Sequence, residues 1–422
     1  MDFNKMEIKT CKYKFDSFKI EIPGFGLYDV EPESILNIIL EKEYDTHFFP
    51  YFEVTLQVSN KALRAMRKNY ADCKAIISMK YALVKSDISG SQKENHVWQT
   101  FFNKKFVVFM DKGSPDLNED NIKQYEQDAQ MKNDTITTQD VGMVQLALYN
   151  EDYLLKTKKI INKVLTSPTL SDTIAYVCNT ARLSKILMTP LNNNQIPHPY
   201  IIHPVTALEQ LVYLVDNYVA HKTGTIVFFD LTRGYIIDKK PECTAWEPNE
   251  YKVTYLIAKS DENKEAATRE GCYIDSKSKC NIINIVPTNM EMNNGSYMND
   301  QIKGNNVTII DSKTGATTKV SSGAKSKISG STNYLYDDKC SGKSASVLQH
   351  ELEECNATGT ISMHGVHIGL LNPNLQYILN ISNSKYKQYN GNYRITSMKA
   401  TFQKDGDCLV PNVVITIKGN KG

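Results

Sequence analysis

Residues 391–418 read GNYRITSMKATFQKDGDCLVPNVVITIK. Two runs alternate apolar with polar residues on either side of Lys404-Asp405-Gly406-Asp407. Asp-Gly between alternating runs is a strong short-range hairpin signal. Upstream, SASVLQHELEECNATG (344–359) has helix spacing and TISMHGVHIGL (360–370) reads as a strand. The turn LNPN (371–374) leads into the strand QYILNIS (376–382). A helix laid on a small meander is built for pairing and stacking, and it contains no nucleophile motif, phosphate loop or metal cluster.

Working outward, 422 residues predict two or three domains, each large enough for its own core. Lys+Arg total 49 against 47 Asp+Glu, so no global basic field points to sequence-specific nucleic-acid binding. No window approaches twenty apolar residues, so no transmembrane segment is expected. MDFNKMEIKTCKYKF lacks the apolar centre of a signal peptide. Nine cysteines with no CxxC pair predict reduced thiols and a reducing cytosol.

Residues 1–150 read as a first β-rich domain. KFDSFKIEI, YFEVTLQVS and AIISMKYALV are strands, and Leu63, Met66 and Tyr70 suggest a short helix between the last two. EPESILNIIL reads as a loop or helical turn behind Pro32, and HVWQTFFNKKFVVFM as two strands broken near Asn103-Lys104. The acidic stretch 111–138 reads as a solvated loop, and 141–165 as a strand followed by a helix or second strand.

Residues 151–240 read as a mixed α/β module. Ser171 is placed to cap a helix burying Ile174, Val177, Cys178 and Ala181. IPHPYIIHP reads as a loop, barred from a sheet centre by its prolines. Thr206 and Glu209 form a capping box opening a helix with Leu208, Leu211, Val212 and Val215 on one face. TGTIVFFDL and GYIID form a hairpin bending at Thr232-Arg233-Gly234, and the unit looks self-contained. Residues 241–422 read as a second β-rich domain opened by EYKVTYLIA. A Gly/Ser-rich polar insertion at about 288–346 interrupts it, too poor in apolar residues for its own core, with NVTIIDSKTGATTKV a candidate hairpin.

Enzymatic candidates fail one by one. His364 and His367, three apart in a predicted strand, point to opposite faces, whereas chelation wants two apart. His350-Glu351 would need a second histidine at 354, which is glutamate. His198 and His203 flank prolines and read as loop structure. Lys222-Thr223-Gly224-Thr225 lacks the glycine of a phosphate loop. Asp230 and Asp238 could pair across the hairpin, but turn carboxylates near Arg233 are the simpler reading. The 24 tyrosines are spread evenly, as packing and interface residues. No catalytic, cofactor-binding or metal residue is assigned, and no cofactor.

The C-terminal pattern resembles the phage tail baseplate hub family, which includes the base of type VI secretion spikes. That family's pattern is a helix, a strand, a Leu-x-Pro-Gly turn, a strand, then Gly-x-Tyr-x-Ile. Gly391-Asn392-Tyr393-Arg394-Ile395 matches the second signature, and Leu371-Asn372-Pro373-Asn374 the first, with Asn374 for glycine, an exchange that a left-handed turn tolerates. The middle module is similar to the small unit between the barrels of such hubs.

The resemblance implies an α+β fold: two tail-tube-like β-barrel domains with a mixed α/β module between them. It further implies a homotrimeric, pseudo-six-fold ring joining the tail tube to the central spike, with the tube protein, the spike and other baseplate proteins as partners. The location implied is the virion tail baseplate, assembled in the host cytoplasm, with no chemical step. Two rivals stand beside it: a peripheral adhesion or receptor-binding tail protein with the insertion as contact loop, and a tail-associated cell-wall hydrolase.

Overall fold

In the computed structural model, residues 8–45, 49–85, 97–110, 141–191, 196, 199–218, 220–221, 224–239, 253–258, 271–275, 280–292, 306–311, 317–321, 332–337, 357–381 and 387–421 are described. The N-terminal half runs β1 (Lys9–Ile22), β2 (Gly26–Asp29), β3 (Ile35–Glu43), β4 (Tyr51–Ser59), α1 (Asn60–Lys68), β5 (Lys74–Lys85), β6 (Gln99–Met110) and β7 (Val141–Asn150). The middle contains α2 (Glu151–Thr157), β8 (Ile160–Leu165), α3 (Leu170–Ala181), β9 (Ile186–Met188), β10 (Tyr200–Thr206), α4 (Ala207–Asn217), β11 (Thr225–Phe229) and β12 (Gly234–Asp238). The C-terminal half has β13 (Val253–Ala258), β14 (Cys272–Asp275), β15 (Cys280–Met292), β16 (Asn306–Asp311), β17 (Thr317–Ser321), β18 (Thr332–Asp337), β19 (Ala357–His364), β20 (Gln376–Ile381), β21 (Gly391–Asp405) and β22 (Cys408–Lys421). The fold is mostly β with few helices, in the α+β class.

One 14-stranded sheet runs through both halves in the order β13-β20-β21-β22-β19-β15-β14-β1-β5-β6-β7-β4-β3, with β2 paired to β1 off this path. Its pairings return on themselves twice. In the C-terminal half, β13 pairs with both β20 and β15, completing the circuit β13-β20-β21-β22-β19-β15. In the N-terminal half, β3 pairs with β21 and β1 touches β22 at Tyr13↔Leu409, so β1-β5-β6-β7-β4-β3 is completed by a hairpin from the other half. The β21–β22 hairpin therefore belongs to both circuits. Its two-residue loop starts at Gly406 with φ +59°, as a type II′ connection requires.

The sequence explains these elements and also shows where local reading misleads. In this run Gln99–Met110 forms one unbroken strand, β6: Asn103 and Lys105 face outward between the inward Phe102 and Phe106, while Lys104 reaches Asp152 of α2 at 3.2 Å, so no break falls at Asn103-Lys104. In EPESILNIIL only Pro32–Ser34 is helical, as a 3-10 turn, and Ile35 begins β3. The helix after β4 holds Leu63 and Met66 in the core, while Tyr70 lies beyond its end and is exposed. After β7, both α2 and β8 are present.

Thr169, not Ser171, caps α3, because its side chain accepts from Asp172 N while the Asp172 carboxylate accepts from Thr169 N. The capping box at Thr206 and Glu209 is present on α4. Its buried face is turned from the expected one: Leu211, Leu214 and Val215 are buried, whereas Leu208 is only partly covered. We expect Thr206→Ala to cost about 1 kcal/mol, read as a lower urea midpoint; an unchanged midpoint would show the cap to be idle.

Within the proline-rich segment, residues 200–204 belong to strand β10 rather than to a loop. Among the described residues it pairs only with β8, with a register shift between Ile202 and Val205 that accommodates Pro204, as an edge strand permits. The module is also less self-contained than expected. Alternation along the β11–β12 hairpin sends Val227, Phe229 and Ile236 into the module's core. Ile226, Phe228, Tyr235 and Ile237 enter the main core instead. Burial on both faces explains why TIVFF and GYIID are nearly continuous apolar runs. β12 also pairs in parallel with β9.

The predicted helix at 345–356 and the acidic stretch 111–138 lie outside the described residues. Within the expected 288–346 insertion, β16 and β17 pair as the anticipated hairpin, and β18 joins β16 in parallel. Residues 288–292 belong to β15 of the main sheet.

Candidate functional site: the junction between the two halves

The GNYRI signature lies at the seam. On β21 its arginine, between the core residues Tyr393 and Ile395, lies on the opposite face and reaches the N-terminal half: the Arg394 guanidinium donates to both carboxylate oxygens of Asp45, at 2.9 and 3.2 Å. Arg394 is buried, and a planar fork on a carboxylate fixes direction as well as attraction. Around it the backbones pair from Ser397↔Glu43 to Thr401↔Ile39. On the outward face Lys399 meets Glu41 at 2.5 Å, and Tyr51 donates to the same carboxylate. Partial burial opposes ionisation of Glu41, but the Lys399 and Tyr51 hydrogen bonds outweigh it and hold its pKa below the ordinary value.

A second contact ties the middle module to the same strand. β3 alternates Ile38, Leu40, Lys42 and Tyr44 inward, placing a lysine on an apolar face. Lys42 Nζ lies 2.7 Å from Asp230 Oδ1 at the hairpin bend, with side-chain exposures of 3% and 14%. Asp230 also accepts from Leu231 N at 2.7 Å. A cleft of about 190 Å³ opens beside this pair, lined among others by Arg233, Tyr235, Asn372 and Asn374. The LNPN turn thus forms one wall. Asn372 Oδ1 accepts from Asn374 N, and the buried Tyr377 hydroxyl accepts from Asn372 N and donates to Leu370 O. Asn374 is not in the left-handed region, so it does not replace a strained glycine as expected.

The third contact centres on His367. β19 ends at His364, Gly365 turns the chain at φ +61°, and His367 precedes a 3-10 turn, so the two histidines do not share a strand. His364 bonds across the ladder to Asn412. His367 enters the N-terminal half, stacked on Tyr81 with centroids 4.2 Å apart, edge-on to Phe101, and 2.9 Å from the Tyr13 hydroxyl. Tyr13 in turn accepts from Ile368 N at 2.8 Å. Burial, reinforced by the Lys42 charge, lowers the His367 pKa to about 4. Burial likewise raises the nearby Cys272 thiol to about 11, and Cys11 well above its usual value.

The remaining candidates are not brought together. Asp230 sits at the bend of the hairpin and Asp238 at its open end, opposite Thr225. His198, His350, Glu351, Lys222 and Thr223 lie outside the described residues, and His203 falls on β10. Sequence reading missed His221, which is buried and held between Thr189 and Thr225. Among the described residues no group of three or more His, Cys, Asp or Glu could hold a metal ion, the six described cysteines are free, and no helix is long and apolar enough to cross a membrane.

These contacts define a scaffold in which two β halves and a module are locked together around buried charges. Residues 27–420 match the family described as Bacteriophage PBS1 gene 109 protein, and the chain belongs to that family. Its fold is similar to that of a tail protein from Neisseria meningitidis MC58, at 9% identity, TM-score 0.51 and 97% coverage of both chains. It is also similar to the prophage MuSo2 43 kDa tail protein from Shewanella oneidensis, at 10% identity and TM-score 0.45, covering 94% of this chain and 96% of that one. A third similar structure is the Escherichia coli c3393 protein, a type VI secretion component described as similar to the bacteriophage T4 tail proteins gp27 and gp5. There the identity is 10% and the TM-score 0.44, covering 95% of this chain and 77% of the other. No curated protein matches the chain. The expected relation to phage tail and baseplate proteins thus holds in family and fold.

Proposed function

We propose that this phage tail structural protein is a baseplate hub subunit, and that three copies form a pseudo-six-fold ring joining the tail tube to the central spike. The observation that supports this most is an internal duplication. The N-terminal half orders five antiparallel strands β3-β4-β7-β6-β5. The C-terminal half orders β15-β19-β22-β21-β20 in the same way. In both, the first two strands are followed by a helical turn and then a three-strand meander, α1 preceding β5 and the 3-10 turn at Ile368–Leu370 preceding β20. The strand added beyond the meander differs, being antiparallel β1 in one half and parallel β13 in the other.

On this reading each closed circuit is a tube-like barrel. Two barrels per chain let three chains meet a six-fold tube on one side and a three-fold spike on the other. The outward face across the seam offers water Ser362, Thr416, Ser397, Lys399, Glu41, Thr55 and Gln145 along β19, β22, β21, β3, β4 and β7, none of them buried, together with the exposed Val414 and Met143. The role needs no chemical step, only strand edges and surfaces that accept the tube protein, the spike and other baseplate proteins. The location is the virion tail baseplate, with assembly in the host cytoplasm. Native mass measurement is expected to give trimers, and particle imaging to place the protein on the tail axis. A monomer at high concentration, or a peripheral location, would remove the proposal.

A further inference from the structure

We infer that β6 of one copy of this chain pairs antiparallel with β15 of the next, so that two strand edges left open in the single chain close the ring. This rests on the ring reading above and names the partner of each edge. β6, β7, β4 and β3 continue across the seam into β21, β22, β19 and β15, each strand antiparallel to the next. β6 and β15 end this run, and within one chain they do not pair. At Phe106 and Val107, β6 has β5 on one side and β7 on the other. At Phe109 and Met110 only β7 remains among the described strands. β15 lies between β13 and β14 from Cys280 to Ile283, but from Met290 to Met292 its only described strand neighbour is β19.

The internal duplication says what belongs on these edges. In the two orders given above, β6 holds the place of β21 and β15 the place of β3, and β21 pairs with β3 across the seam. Val108, Phe109 and Met110 face Leu148, Ala147 and Leu146, just as Ile395, Ser397 and Met398 face Ile417, Thr416 and Ile415. Phe109 therefore occupies the position of Ser397, the first residue of β21 to pair with β3. The other strand carries its own marker. β3 has a register shift between Ile35 and Asn37, and β15 has one between Pro287 and Asn289. Such bulges are placed features of a strand rather than defects. Ile38 and Met290 follow them, both buried, so Glu291 takes the position of Ile39, which pairs with β21. Val108-Phe109-Met110 has neither a charge nor a proline to guard an open edge, and Phe109 is 47% exposed there. A joint made inside the chain between unlike strands, and repeated between copies, is a heterologous contact that closes into a ring when its rotation allows.

The test is hydrogen exchange on the assembled full chain, with the seam as its internal standard, because Ile39–Glu43 and Ser397–Thr401 pair within each copy. The edge-facing amides of Phe109–Met110 and Glu291–Met292 are expected to exchange within about tenfold of the seam, as paired strands do, and not at the rate of an open edge. A second measurement fixes the direction. Phe109→Cys with Glu291→Cys in one chain, bridged by a bismaleimide, is expected to give covalent dimers and trimers on a denaturing gel. Each single variant is expected to give no more cross-linking than the parent. A trimer in which either segment exchanges like an open edge, or whose double variant cross-links no more than the parent, overturns this contact and leaves the ring standing. A parent that stays monomeric overturns both.

Discussion

Asp230→Ala is expected to destabilise the protein by about 3–5 kcal/mol, the largest effect of any single exposed-to-core contact in the junction. The reason is the partner left behind. Lys42 projects into the core from β3 with 3% of its side chain exposed. Without the carboxylate at 2.7 Å its ammonium would be buried and unpaired. Removing both charges tells a different story: Lys42→Met with Asp230→Leu is expected to recover most of the loss, because breaking a buried pair costs more than replacing it. Against a typical stability of about 5–15 kcal/mol, the single change should be plain in urea unfolding. A loss below about 1 kcal/mol would mean that water reaches Lys42 through the adjoining cleft.

The second large effect is a pH dependence carried by His367. Burial first, and the Lys42 charge second, lower its pKa from an ordinary 6.5 to about 4. Between those values the unfolded chain binds a proton that the folded one refuses, so stability rises with pH across that window. The contribution is complete above about pH 6.5 and is lost progressively down to pH 4, and because His367 keeps part of its surface exposed it amounts to about 1–3 kcal/mol. His367→Phe keeps a ring against Tyr81 but cannot titrate, so the difference between variant and parent should shrink as pH falls from 7 to 4. Parallel pH profiles for the two proteins would show that another group carries the effect. The paired carboxylates Glu21 and Glu41, whose pKa values are lowered, add losses only at more acid pH.

What could be read from sequence was local. The hairpin at Gly406, the capping box at Thr206 and the bend at Arg233 each declare themselves within a few residues, because turn and cap chemistry is local. Errors arose where context overrides such signals. Pro204 disfavours a strand only if both edges must pair, and β10 leaves one edge unpaired among the described residues. Asn103 breaks nothing, because it faces outward. The site was less legible still. Arg394 finds Asp45 across 349 residues, Lys42 finds Asp230 across 188, and His367 meets Tyr13 across 354. Nothing in a local window states such partners. One clue was available: the alternation Ile38, Leu40, Lys42 sets a charge on an apolar face.

The shared β21–β22 hairpin also imposes an order of events on synthesis. β3 and β1 leave the ribosome early, but their partners Ser397–Thr401 and Leu409 are the last of the described strands to emerge. Until then the N-terminal strands keep unsatisfied edges, which invite pairing with other nascent chains. The contacts that end this exposure span more than three hundred residues, and such long loop closures are slow. Premature termination before residue 391 would therefore leave an open, sticky half-sheet, so one late hairpin holds back the completion of both halves.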